Sequence, residues 1–260
     1  MRFRMLGRLL VHTGAGWVPV AAEQQRVVLA VLLVEAGRGV STDKLVDAVW
    51  EKRPPRTAVN TVQAYVSRLR RLLGGAVLAS WRGGYTLLAD DGDIDAVVFE
   101  RVRASGRREL EAGRLEAAET RLAQALALWC GTEPAFSDVP LNRWIEPRVT
   151  YLERLRLGAV EDYADARLRL GQYAAVVDEL DRLAREQPLR EQRWLLLMTA
   201  LHRCGRRAEA LQAYQRARRI LQTELGLEPG AALQLLQREI LIQDRPLRQP
   251  RRFRRRRGSA

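Results

Sequence analysis

Residues 1–94 mix two periodicities of apolar positions, and the residues after them show only one. RFRMLGRLLV (2–11), followed by Gly14, Gly16 and VPV, predicts a strand, a turn and a second short strand. Val28, Leu29, Leu32 and Leu33 cluster within 24–35 and predict a buried helix that stops near Gly37. Leu45, Val46, Val49 and Trp50 make the inner face of a second helix, with Ser41 or Thr42 as its cap. Pro54 and Pro55 break the pattern, because proline lacks the N–H that a helix interior needs. A third helix over 57–73, capped by Thr57, follows, and its Val59, Val62, Val66, Leu69 and Leu73 form one apolar stripe. Gly74-Gly75 ends it, and VLASWRGGYTLLA predicts a hairpin with Gly83-Gly84 at the tip.

The other face of the third helix carries the candidate chemistry. At about 100° per residue, Asn60, Ala64, Ser67, Arg68 and Arg71 project away from the stripe, with Thr61, Gln63 and Arg70 on its flanks. Amide, hydroxyl and guanidinium groups can read base edges and phosphates, and the small Ala64 permits close approach. From Lys52 to Ala89 there are seven bases and no acid, so nothing in this window repels phosphate. From the residues alone, a merely solvated basic face accounts for the pattern equally well.

From Asp95 to Asp244 every segment reads as helix. GRLEAAETRLAQAL from Gly113, GQYAAVVDELDRLA from Gly171 and GRRAEALQAYQRAR from Gly205 align with one another. Ala118, Val176 and Ala210 match, as do Leu122, Leu180 and Tyr214, and Ala125, Leu183 and Ala217. The step from Gly171 to Gly205 is the tetratricopeptide period of about 34 residues. Between the first two units, CGTEPAFSDVPLNRW (130–144) and a long helix to about Leu170 act as an insertion. A last helix opening near Pro229 caps the stack. The expected fold is mostly α with a small β component: a winged helix-turn-helix over 1–94, an all-α tetratricopeptide-like domain over 95–244, and a disordered Arg-rich tail over 245–260.

Charge sharpens this division. The net charge is +13, with 13 bases against 9 acids in residues 1–96, 23 against 22 in 97–244, and 8 arginines with no acid in the tail. Positive charge thus gathers at 52–89 and at the C-terminal end, and the long middle has no electrostatic reason to seek nucleic acid. Cys130 and Cys204 have no metal or redox spacing, His12 and His202 are isolated, and no paired acids or nucleophile motif accompanies them. No enzyme activity, catalytic residue, metal or cofactor is expected. With no apolar run of about 20 residues and no signal-like segment, the expected site is the cytoplasm, at the nucleoid, with no membrane partner.

NTVQAYVSRLRRLL followed by WRGGYTL resembles the recognition helix and wing of the OmpR/PhoB-type winged helix. The order of that fold and a tetratricopeptide-like helical module, carried by MRFRMLGRLLV, AVNTVQAYVSRLRRLLG, RGGYTL, LDRLAREQPLREQRWLLLMTALHRCGRRAEALQAYQRARRIL and ELGLEPGAALQLLQREIL, is similar to the Streptomyces antibiotic regulatory protein (SARP) family, whose second part is the bacterial transcriptional activation domain. The resemblance implies that Asn60, Thr61, Gln63, Ala64, Tyr65, Ser67, Arg68, Arg70 and Arg71 meet the major groove and its phosphates. Arg82 and Tyr85 become wing contacts, and Lys52, Arg53 and Arg56 a loop facing RNA polymerase. Tyr65 lies at the edge of the apolar stripe and is equally a core residue. The implied function is activation of a specialised-metabolite (antibiotic) gene cluster, by paired or dimeric binding to direct repeats in double-stranded promoter DNA and contact with the polymerase holoenzyme. With no G-x-x-x-x-G-K motif and no receiver domain, a short member without ATP- or phosphorylation-driven control is expected. A repeat adaptor whose winged helix docks a protein is the other class of reading.

Overall fold

In a computed structural model, residues 2–51, 53–74 and 76–242 are described; Lys52 and the Arg-rich segment 245–260 lie outside them. The chain divides into two compact units, residues 1–166 and 167–260.

The first unit opens with an antiparallel sheet of β1 (Phe3–Arg4), β2 (Leu10–Thr13) and β3 (Gly16–Pro19), in the order β1-β2-β3. The single strand expected over 2–11 is therefore two strands. Between them Gly7 takes φ +129°, and long-range partners take up the backbone: the Cys130, Phe136 and Ser137 N–H groups donate to the Leu6, Met5 and Gly7 carbonyls. The Asp95 carboxylate accepts the N–H groups of Met5 and Leu6 at 2.9 and 3.1 Å. Polar groups satisfied in this way cannot continue a strand ladder.

Next comes α1 (Glu23–Val34), in which every residue from Val27 to Leu33 is buried, so the helix is enclosed rather than amphipathic. A short strand β4 (Gly39–Ser41), which three residues of sequence do not announce, precedes α2 (Thr42–Trp50). The Ser41 hydroxyl accepts the Lys44 N–H at 3.1 Å and caps α2 as expected. After α3 (Ala58–Leu73), β5 (Leu78–Trp81) and β6 (Gly84–Leu87) form the hairpin, and β4 adds to it in the order β4-β6-β5. Trp81 pairs with Gly84, which puts Arg82-Gly83 at the tip and Gly84 inside a strand. A Cβ at Gly84 would lie 2.1 Å from the Val40 carbonyl oxygen, so the close β4–β6 approach requires glycine there.

The chain then runs through α4 (Asp95–Glu111), α5 (Leu115–Leu126) and α6 (Glu146–Arg169). Composition changes at 94–95 but packing does not, because one apolar core runs from Phe3 through Val28, Leu69 and Phe99 to Phe136 and Leu152. The segment 130–145 is a strap rather than a spacer. Asp138 accepts the Leu9 N–H at 2.7 Å, the Asn142 amide donates to the Ala48 carbonyl at 3.0 Å, and Trp144 Nε1 donates to Asp47 at 2.6 Å.

The second unit holds a 3-10 turn (Ala174–Val176), α7 (Val177–Glu186), α8 (Glu191–Arg203), α9 (Arg207–Leu225) and α10 (Ala231–Ile242). The aligned glycines of both units, Gly113, Gly171 and Gly205, all have left-handed φ between +74° and +81° just after a helix. Each makes the turn that lets the next helix fold back. All nine of the aligned small and apolar positions that follow those glycines are buried.

Candidate nucleic-acid interface

The helix α3 buries Ala58, Val62, Val66, Leu69 and Leu73. Val59, expected in that stripe, is instead 45% exposed, since Ala58 occupies the inward position one residue earlier. Thr57 also fails as a side-chain cap: its carbonyl accepts the N–H and the hydroxyl of Thr61, both at 2.9 Å. What remains outward is one continuous face of Asn60, Gln63, Ala64, Ser67, Arg68 and Arg71, all exposed. Sixteen residues of helix are about 24 Å long, enough to lie along a major groove.

Four residues of the expected contact set are held elsewhere. Arg70 turns toward the hairpin: its Nε and Nη2 donate to the Leu78 carbonyl at 2.9 and 2.8 Å, Nη2 donates to Ser80 Oγ at 2.6 Å, and the guanidinium carbon lies 5.7 Å from the Tyr85 ring centre. Tyr85 is only 9% exposed and packs in the core, so it supports the wing from below instead of presenting itself to a partner. Tyr65 is half-buried and stacked on Trp50, with ring centres 6.5 Å apart and planes 19° from parallel. Its place at the stripe's edge is a packing role. Thr61, half-buried, keeps its hydroxyl on the helix's own first turn.

The wing tip does present Arg82, which is exposed, beside a residue that periodicity overlooked. Trp81 is 47% exposed, and its indole lies flat enough over Gly39 and Gly84 that a Cβ at either would stand within about 3 Å of ring atoms. An aromatic directly before Arg-Gly, where a strand ends, was the available signal. Arg53 and Arg56 are exposed in the loop between α2 and α3; Lys52 lies outside the described residues. Behind α3, Arg2 Nη2 donates to the Leu73 carbonyl at 2.9 Å, a cation placed against the negative end of the helix dipole.

On α2, Asp47 is neutralised, whereas Asp43 in the first turn and Glu51 at the C-terminal cap are exposed. The Trp144 indole, and then Arg143, hold the Asp47 carboxyl below the usual carboxylate range. Burial pushes Asp95 up to about 6 despite the N–H groups that it accepts. Among the described residues no His, Cys, Asp or Glu group gathers as a metal would require, and no helix is long and apolar enough to cross a membrane.

Two family models match: "Transcriptional regulatory protein, C terminal" over residues 21–87 and "Bacterial transcriptional activator domain" over 94–241. The regulatory protein DnrI of Streptomyces peucetius is 38% identical over 94% of this chain and 93% of its own length. The chain belongs to the SARP family of transcriptional activators. It is accordingly a transcriptional regulator whose winged helix precedes a helical activator domain. Other SARP-like relatives are longer. The regulatory protein AfsR of Streptomyces griseus is 37% identical over 96% of this chain but only 25% of its own length. The transcriptional regulatory protein EmbR of Mycobacterium tuberculosis is 37% identical over 93% of this chain and 63% of its own. A solved structure of EmbR, in complex with a low-affinity phosphopeptide, superposes with a TM-score of 0.86 at 36% identity, covering 93% of this chain and 65% of that one.

Proposed function

We propose that this SARP-family regulator activates transcription by laying α3 in the major groove of promoter DNA. The outward face of Asn60, Gln63, Ala64, Ser67, Arg68 and Arg71 carries the proposal, because it joins base-reading groups to two free guanidiniums in a window without acids. In this reading Arg82 and Trp81 reach the adjacent minor groove or backbone. Arg53 and Arg56, with Lys52 beside them in sequence, face RNA polymerase holoenzyme. One such domain spans too short a site for specificity against a genome, so two copies sit on direct repeats. The helical part converts binding into transcription, and the target is a promoter of a specialised-metabolite gene cluster.

The deciding experiment selects duplexes from a random library with the full chain, then titrates the selected sequence against salt. Arg68→Ala and Arg71→Ala should each weaken binding by about 1–3 kcal/mol and lower the slope of log affinity against log salt by about one phosphate contact. Unchanged affinity in both variants, or selection of no common sequence, would sink the proposal in favour of a winged helix that docks a protein.

A further inference from the structure

The second unit has a feature that DNA recognition does not use. Where the turn after α7 meets α8 and α9, Arg185, Pro188, Trp194, Arg216, Arg219 and Ile220 line a pocket of about 360 Å³. Its floor is apolar: Pro188 and Ile220 are half-buried, and Trp194 is buried, its indole N–H satisfied by the Pro188 carbonyl at 2.8 Å and its ring centre 5.4 Å from the Arg216 guanidinium carbon. Its rim is cationic. Three guanidiniums stand around a lining that contains no acid. Asp181, on the neighbouring turn of α7, is shared by Arg185 and by Arg216, the latter at 2.9 Å. One carboxylate therefore serves two arginines, and Arg219, exposed, is in no ion pair among the described residues. The pocket carries a surplus of about two positive charges over an apolar floor, the inverse of an acidic peptide that bears one large apolar side chain. Arginine rather than lysine suits this, since its planar fork can receive a carboxylate while its stem covers the apolar floor.

We propose that this pocket is a docking site for an acidic peptide segment of a protein partner, its apolar side chain seated on Pro188 and Ile220 and its carboxylates on Arg185 and Arg219. The site lies wholly in α7–α9, so the proposal is independent of how α3 meets DNA.

The test uses the full chain and a fluorescein-labelled Asp-Glu-Asp-Leu-Glu-Asp peptide, read by fluorescence anisotropy at low salt, where charge pairing is least screened. Arg219→Glu should weaken binding at least about fivefold. Arg238→Glu, an exposed charge on α10 away from the pocket, should leave it within about twofold. Replacing the peptide's leucine by alanine should weaken binding about fivefold, through lost apolar burial. Arg219→Glu should keep its melting temperature and its affinity for the selected duplex; were it to lose its fold, Arg219→Gln would take its place. If Arg219→Glu and Arg238→Glu bind alike, or if the leucine is irrelevant, attraction to the chain's general positive charge explains the binding and the proposal fails.

Discussion

Arg70 donates two hydrogen bonds to the carbonyl oxygen of Leu78, tying the recognition helix to the first strand of the wing. A guanidinium on the polar face of a basic helix is thereby spent inside the molecule, and the angle between α3 and the hairpin depends on it. Arg70→Ala leaves the Leu78 carbonyl short of donors and removes a cation from beside Tyr85, so it should cost about 1–3 kcal/mol of folding free energy. Arg70→Lys, which cannot reproduce the fork, should recover less than half of that. Urea denaturation of both variants measures this. Stability equal to the parent in Arg70→Ala would show that the wing is held without it.

Asp95 sets a pH dependence with an unusual sign. Burial raises its carboxyl from 3.8 to about 6 in the folded chain, so the fold binds that proton more tightly than the unfolded chain does. Its contribution to stability is then fully present below about pH 4 and is lost as pH rises through about 6. Relative to Asp95→Asn, which does not titrate, the parent should gain up to about 3 kcal/mol as pH falls from 7 to 4. The comparison cancels the acid lability of the other carboxylates. A difference that stays flat, or that shrinks as pH falls, would mean that the N–H groups of Met5 and Leu6 outweigh desolvation.

What could be read from the sequence was what depends on near neighbours. The stripe and polar face of α3, the hairpin and the recurring Gly113, Gly171 and Gly205 turns are all set by residues within one or two helical turns. What escaped depends on partners far along the chain. The break of residues 2–11 into two strands comes from Asp95 and from backbone groups near 130–137. The strand β4 exists only because β6 lies beside it. The candidate site shows the same divide: Asn60, Gln63, Ala64, Ser67, Arg68 and Arg71 face outward as periodicity implies, whereas Arg70, Tyr65 and Tyr85 are claimed by Leu78, Trp50 and the core.

The shared core also predicts where the chain can be cut. Phe3, Met5 and Val11 pack in the same cluster as Phe99, Trp129, Phe136 and Leu152, so ending the chain at residue 96 would expose one side of that cluster. Such a fragment should show no cooperative unfolding transition, while residues 1–166 should unfold in a single one. Thermal melts followed by circular dichroism decide between them. A cooperative transition in the shorter fragment would show that the winged helix is self-sufficient and that the strap is dispensable.

The strap itself turns on Asn142. Buried between α2 and the start of α6, its amide nitrogen donates to the Ala48 carbonyl at 3.0 Å, and its amide oxygen accepts the N–H groups of Trp144 and Ile145 at 2.9 and 3.1 Å. The residue thus begins α6 and fastens α2 at once, and only a side chain with both a donor and an acceptor can do so. Asn142→Ala strands the Ala48 carbonyl and the Trp144 N–H, while the Ile145 N–H keeps the Asn142 backbone carbonyl at 3.0 Å, and should cost about 1–3 kcal/mol. Asn142→Asp is the sharper test. The carboxylate keeps the two N–H contacts and can still start the helix, yet it sets a negative oxygen against the Ala48 carbonyl. If holding α2 is the larger part of the role, Asn142→Asp should be at least as destabilising as Asn142→Ala at pH 7 and should recover as the pH falls and its carboxyl takes up a proton to donate. If capping α6 is the larger part, Asn142→Asp should be the milder change at every pH, and the account of 130–145 as a strap on α2 would be wrong.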